Sequence, residues 1–235
     1  MSKRISEIQS EFNIESATIK SAINSGGVDT LHGVSFSSVT PITHNFSVYN
    51  SGYKTDEVSV TKYVYNGVEH NTEQAAQSAR NADIDSKIGV VNGKISKCNS
   101  YKNKLENINR DCEESIKNLE QDKTEVSNQI SKLGELEGLV SRAKGQYIQA
   151  KSSMQSCFKC SPYGLNIATG NAINYIQNEE CSSQNNGLDD VVSKLGEYIN
   201  DGENIKNSIN SLKSELDGKI SKLNEQITWL NSQKR

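Results

Sequence analysis

Proline is almost missing from this chain: only Pro41 and Pro162 occur, so helices can run long between them. No apolar run approaches the roughly 20 residues that a membrane span needs. The opening Met-Ser-Lys-Arg-Ile-Ser-Glu has no apolar core and no small-residue cleavage site. No cleavable signal peptide is therefore expected, and the chain should be cytoplasmic or exported by a non-classical route. Hydrophobic residues are 34% and aromatics 6% of the 235 residues, too little for an easily built compact core but enough for a thin seam between helices. Neither sign of charge dominates, with 26 basic against 29 acidic residues, so nucleic acid and anionic membrane surfaces are not expected partners. Phosphate loops, nucleophile elbows and His-Glu-x-x-His motifs are all missing, so no catalytic set, cofactor or small-molecule substrate is expected.

What the chain does have is periodicity. Apolar residues recur at steps of three and four through Ile84, Ile88, Val91, Ile95, Cys98, Leu105, Cys112, Ile116, Leu119, Val126, Ile130 and Leu133. A second series runs Leu188, Val192, Leu195, Ile199, Ile205, Ile209, Leu212, Leu216, Ile220, Leu223, Ile227 and Leu230. Spacing that averages near 3.5 residues puts each series on one helix seam. The fold class expected is mainly α: a long antiparallel helical hairpin, coiled-coil-like, with a small N-terminal α/β-hairpin module. Ile84, Ile88, Val91, Ile95, Leu212, Leu216, Ile220 and Leu223 are the residues expected to carry the interaction seam. At 1.5 Å per residue, residues 84–155 would span roughly 105 Å and 188–232 roughly 65 Å. The seam near 84–110 is therefore expected to lack a cover and to pack on the helix at 1–24, a second copy or another protein. Lys102, Lys123 and Gly202 interrupt the series, which points to a bundle of three or more helices.

Two regions divide the chain on this reading. Residues 1–71 hold a helix with Ile5, Ile8, Phe12, Ile19 and Ile23 at helical spacing, ended by Ser25-Gly26-Gly27, then short antiparallel strands. Alternation at Val34 and Phe36, at Phe46 and Val48, and at Val58, Val60 and Val64 predicts two or three strands. Asn66-Gly67 and Asn50-Ser51-Gly52 predict turns. Residues 72–235 form the hairpin. Asn71 or Thr72 caps its first helix, with Gln74 placed to complete a capping box with Asn71. A kink or break is expected at Gly134 and Gly138, and a cysteine-bearing connection occupies 157–187.

Cys157, Cys160 and Cys181 form the only cluster with site-like spacing. Zinc would need a fourth ligand, and His32, His44 and His70 all lie far upstream. A redox pair would sit at a helix start after a strand, whereas this one follows a helix. A possible disulfide pinning the connection and free thiols in a packed tip both remain open. A disulfide would close a loop of about twenty residues and contribute roughly 3 kcal/mol. Cys98 and Cys112 fall in register with the first seam and read as small buried hydrophobes. Carboxylates such as Glu113, one turn from Lys117, read as a solvated helix face.

The absent signal peptide, the long helical hairpin and the Asn/Ser/Lys-rich amphipathic last helix resemble the helical-hairpin proteins of Gram-positive type VII secretion. These are the Trp-x-Gly hairpins and the helical partners of Leu-x-Gly toxins. The resemblance covers about 84–235. Ser161-Pro162-Tyr163-Gly164 stands where the absent Trp-x-Gly would be, and Tyr175 to Glu179 and Tyr53 to Glu57 match the Tyr-x-x-x-Asp/Glu export pattern. The strands at 33–70 depart from it. The resemblance implies a non-enzymatic secretion substrate or adaptor that pairs side by side with another helical protein. The alternative is a self-assembling structural subunit of a filament, surface layer, virion or injection apparatus. Both readings place a protein partner or a homo-oligomer on the helix faces.

Overall fold

The computed structural model describes residues 3–158 and 182–234. Those residues form three helices and one three-stranded antiparallel sheet: α1 (Ile5–Asn24), β1 (Thr40–Asn50), β2 (Tyr53–Tyr65), β3 (Val68–His70), α2 (Glu73–Phe158) and α3 (Ser182–Ser232). The fold is mainly helical.

Local chemistry sets the element ends. At the start of α1 the Glu7 carboxylate accepts from the Arg4 backbone N–H at 3.0 Å, satisfying a donor outside the helical ladder. At its end Gly26 takes φ +70° and the Gly27 N–H donates back to the Ala22 carbonyl at 2.9 Å, an αL stop open to glycine at no steric cost. α2 is capped by Thr72, whose hydroxyl accepts from the Ala75 N–H at 3.1 Å. Asn71 does not join a capping box with Gln74, because its side-chain oxygen accepts from the Lys62 ammonium instead. No break occurs at Gly134 or Gly138, and α2 stays helical to Phe158. α3 begins at Ser182, so residues 182–187 are helix rather than connection.

The chain divides into two compact units. In the unit Glu11–Asn107 with Ile209–Arg235, the first seam is covered rather than open. Ile84, Val91, Cys98 and Leu105 are fully buried, as are Ile209, Leu216, Leu223 and Leu230. Lys102 pairs with Asp217, Lys213 with Glu106 and Lys234 with Asp85. The numbers rise along α2 as they fall along α3, so these segments run antiparallel. Phe12, Ile19 and Ala22 of α1 and Val28 beyond it add a third buried stripe, and Lys104 reaches the Glu15 carboxylate of α1 at 2.9 Å. Of the covers expected for the seam near 84–110, the helix at 1–24 is the one that lies with α3 beside residues 84–107 of this unit. Tyr101 and Ile108, which the expected seam skips, are buried as well and complete the alternating three–four spacing.

The sheet belongs to the same unit. Ser51 and Gly52 (φ +51° and +86°) turn β1 into β2, and Asn66 and Gly67 (φ +46° and +77°) turn β2 into β3. Two consecutive positive φ values match the twist of a two-residue hairpin. β1 and β2 pair from Thr40↔Val64 to Asn50↔Tyr53, with a bulge opposite Val48/Tyr49, and β3 pairs only with Tyr63–Tyr65. Val34 and Phe36 are not in a strand. Phe36 packs near Trp229, ring centres 6.5 Å apart, and lies under the Arg80 guanidinium. Its alternation reflects a loop laid on helices, not a pleat.

In the unit Met1–Ser10 with Ile108–Ser208, Ile5, Ile8, Ile108, Cys112, Ile116 and Ile205 are buried. The Cys112 thiol donates to the Gly202 carbonyl at 3.2 Å. Gly202 is a packing position, not an interruption: a Cβ there would lie 2.8 Å from Ile116 Cγ1 and 3.1 Å from Ile5 Cδ1. The missing side chain lets three apolar chains meet.

Leu212→Asp places an unpaired charge in a buried position and should cost at least about 3 kcal/mol. Ile220→Asp, at a half-buried position, should cost roughly 1 kcal/mol; equal urea-unfolding losses would contradict the burial. Gly202→Leu should cost about 3 kcal/mol by overpacking. Gly218→Ala, with open space around it, should gain up to about 1 kcal/mol from helix propensity.

Candidate interaction surfaces

The expected seam residues divide by environment. Ile84, Val91, Leu216 and Leu223 are fully buried and Leu212 nearly so; Ile88, Ile95 and Ile220 are half-buried. All of them serve the core of their own unit. Cys157 is the last residue but one of α2, and the Cys157–Cys160–Cys181 cluster otherwise lies outside the described residues. So do Ser161–Gly164 and the pattern from Tyr175 to Glu179. The pattern from Tyr53 to Glu57 lies at the start of β2. Cys98 and Cys112 are buried free thiols, and burial pushes both above the ordinary thiol range, which leaves them poor nucleophiles. The described residues contain no group of three or more metal-ligating side chains and no helix long and apolar enough to cross a membrane. His44 Nε2 lies 3.2 Å from a Glu69 carboxylate oxygen, and Glu113 accepts from Asn109, one turn back, at 2.9 Å.

One surface is made by the helix seam beyond α1. In the unit Met1–Ser10 with Ile108–Ser208, the start of α1 is tied down by the Ser115 hydroxyl, which donates to the Lys3 carbonyl, and by Lys3 Nζ at 2.8 Å from Asp111. Past that point the seam opens. Leu119, Val126, Ile130 and Leu133 on α2, and Leu188, Val192, Leu195 and Ile199 on α3, are only half-buried. Leu136 and Leu139 are 52% and 54% exposed. The reason is geometric. Two helices meet along a line, so each side chain keeps a wet flank unless a third helix covers it. Gln129, Lys132, Leu133, Leu136, Gly187 and Leu188 line a groove of about 580 Å³ on this open stretch.

A second surface is the β1–β2 ribbon. Its even-numbered face carries Ile42, Phe46, Val48, Val58, Val60 and Val64, with His44, Asp56 and Lys62 among them, and its odd-numbered face Thr43, Asn45, Ser47, Glu57, Ser59 and Thr61. Phe46 is 55% and Val58 45% exposed. At the base, Tyr65 is buried and its hydroxyl donates to Asp83 of α2 at 3.0 Å. Burial, reinforced by that carboxylate, raises the Tyr65 phenol above its usual range. Sequence alternation placed the strands but could not tell that the apolar face would remain uncovered.

The loop between α1 and β1 is held by side chains from both long helices. The Lys94 ammonium donates to the Gly26 and Asp29 carbonyls at 2.9 and 2.8 Å. The Gln226 amide accepts from Leu31 N–H at 2.8 Å and donates to its carbonyl at 2.7 Å. Arg80, itself buried, donates to the Ser37 carbonyl at 3.2 Å and to that of Gln233. Lys219, hydrogen-bonded to Asp29, holds that carboxyl below the usual carboxylate range against the opposing effect of burial.

Comparison with protein families, with curated proteins and with solved structures gives no match.

The Asp29 pair fixes a sign. Its folded pKa is depressed, so its stabilisation is complete above about pH 4, the unfolded value. It is lost as pH falls through the lower folded value. Asp29→Asn should therefore lower stability at neutral pH and flatten the loss on acidification. Urea midpoints at about pH 5 and pH 3 should fall less for the variant than for the wild type, and parallel losses would remove Asp29 from the acid response.

Proposed function

We propose that this chain is a non-enzymatic interaction protein that acts through its helix faces. On this reading α2 and α3 form one long antiparallel hairpin, and the stretch of seam beyond α1 is the face it offers. The observation that carries the reading is the change in exposure along one seam. Ile108, Cys112, Ile116 and Ile205, in the unit that holds the start of α1, are buried, whereas Leu119 to Leu139 on α2 and Leu188 to Ile199 on α3 keep an apolar flank in water. A contiguous apolar stripe of this kind is a recognition surface for an amphipathic helix laid along it. The occupant is a helical protein that supplies the third stripe, as α1 does elsewhere. The resemblance of residues 84–235 to helical-hairpin proteins of type VII secretion supports an adaptor or exported substrate as the setting.

A Leu133→Asp/Leu136→Asp double variant tests the reading. The wild-type chain should bind an apolar fluorescent dye along the seam. The variant should lose a clear share of that signal with helicity unchanged and stability within about 1 kcal/mol, since neither side chain is buried. Unchanged dye binding, or collapse of the helices, would count against an open seam. Light scattering should show a small defined species; large concentration-dependent polymers would move the reading to a self-assembling structural subunit.

A further inference from the structure

We infer that the outer edge of β1 pairs antiparallel with the β1 edge of a second copy of this chain, making a two-fold dimer. The inference stands apart from the helix-face reading, because it uses a different element and different forces. Among the described residues β1 pairs only with β2, so its other side carries unpaired backbone donors and acceptors. Pro41 shows which groups these are. It has no N–H and so cannot donate to β2. Its neighbours of the same parity in the regular ladder, Thr43, Asn45 and Ser47, direct their N–H and carbonyl groups outward with it. The Thr55 hydroxyl donates to the Val48 carbonyl at 3.2 Å, consistent with even-numbered groups facing β2.

Charge decides the occupant. Exposed edges are usually protected by charged side chains. The outer side of β2 has such protection, with Lys54, Asp56, Glu57 and Lys62 along it. β1, Thr-Pro-Ile-Thr-His-Asn-Phe-Ser-Val-Tyr-Asn, holds no Lys, Arg, Asp or Glu in eleven residues. Two identical edges without charge meet with no like-charge repulsion and leave no charge to desolvate at the joint.

Patterning limits the register to pairings that set even-numbered residues against even-numbered ones. Antiparallel pairing centred on Asn45 sets Ile42 opposite the second copy's Val48, His44 opposite Phe46 and Thr43 opposite Ser47. Even then faces even, so the apolar face continues across the joint. A shift by one residue sets apolar against polar along the whole edge. The paired length stops short of Pro41, the one residue that cannot donate. Closure about a two-fold leaves no β1 edge free for a third copy.

The test is sedimentation velocity of the full chain over a dilution series, in the wild-type and Leu133→Asp backgrounds, with helicity checked in each. A dimer should form in both. Asn45→Lys alone, and Asn45→Asp alone, should each weaken it at least about tenfold, by setting like charges beside the two-fold. Mixing the two variants one to one should restore it, which a merely damaged ribbon would not do. A wild-type chain that stays monomeric overturns the inference, as does a mixture no more associated than its components. Association that vanishes with Leu133→Asp and ignores Asn45→Lys belongs to the helix seam, and overturns the edge pairing while leaving the helix-face reading intact.

Discussion

The third stripe on the helix seam is the constraint on which the rest depends. Two amphipathic helices with an average apolar step near 3.5 residues bury a narrow line of side chains and leave its flanks wet. Where α1 contributes Ile5 and Ile8 to one unit and Phe12, Ile19 and Ala22 to the other, side chains of that seam fall to zero exposure. Each fully buried aliphatic chain is worth about 1.5–3 kcal/mol relative to exposure. Within each unit the residues that α1 contributes thus set which part of that unit's seam is closed. Gly202 belongs to the same constraint. Three stripes converging on one line leave too little room for three side chains at every level, and there one helix contributes none.

The loop from Ser25 to Val39 has a different problem. It has no regular ladder to satisfy its backbone, yet it lies against helices. Buried carbonyls and N–H groups must find partners or cost on the order of 1–3 kcal/mol each. Lys94, Arg80 and Gln226 meet that need from the helices. Long side chains suit the task because their aliphatic stems lie along apolar surface while the polar ends reach the backbone. Those anchors fix where β1 starts, and Tyr65 on Asp83 fixes where β2 ends.

Much of this was legible in the sequence, and the failures have physical causes. The periodic stretches, both hairpin turns and the glycine stop after α1 are local signals, and local chemistry decided them. Tyr101 and Ile108 lie on the same three–four spacing but are absent from the expected seam, which steps from Cys98 to Leu105 and from Leu105 to Cys112 in sevens. The break expected at Gly134 and Gly138 charged each glycine about 1 kcal/mol, a cost that a long helix absorbs without local melting. Helix lengths show that the seam near 84–110 needs a further cover and leave the helix at 1–24, a second copy and another protein as candidates; that α1 is the one beside it is a tertiary fact carried by pairs such as Lys104 with Glu15. Val34 and Phe36 alternate because one side of a loop faces helices, which a period of two over four residues cannot distinguish from a strand.

The ribbon at β1–β2 carries the remaining tension. A two-stranded hairpin is marginal in water by itself, and β3 supports only the three residues Tyr63–Tyr65. Toward the tip both faces are exposed, so Phe46, Val48, Val58 and Val60 contribute cross-strand contact of about 0.2–1 kcal/mol per pair and little burial. The same four residues would be worth several times more under a cover. A segment that spends six apolar side chains on one face and no charge along one edge is poorly explained by its contribution to the isolated chain. The surplus is recovered only when something lies against it, and the uncharged edge, alternating in step with that face, is shaped for a strand.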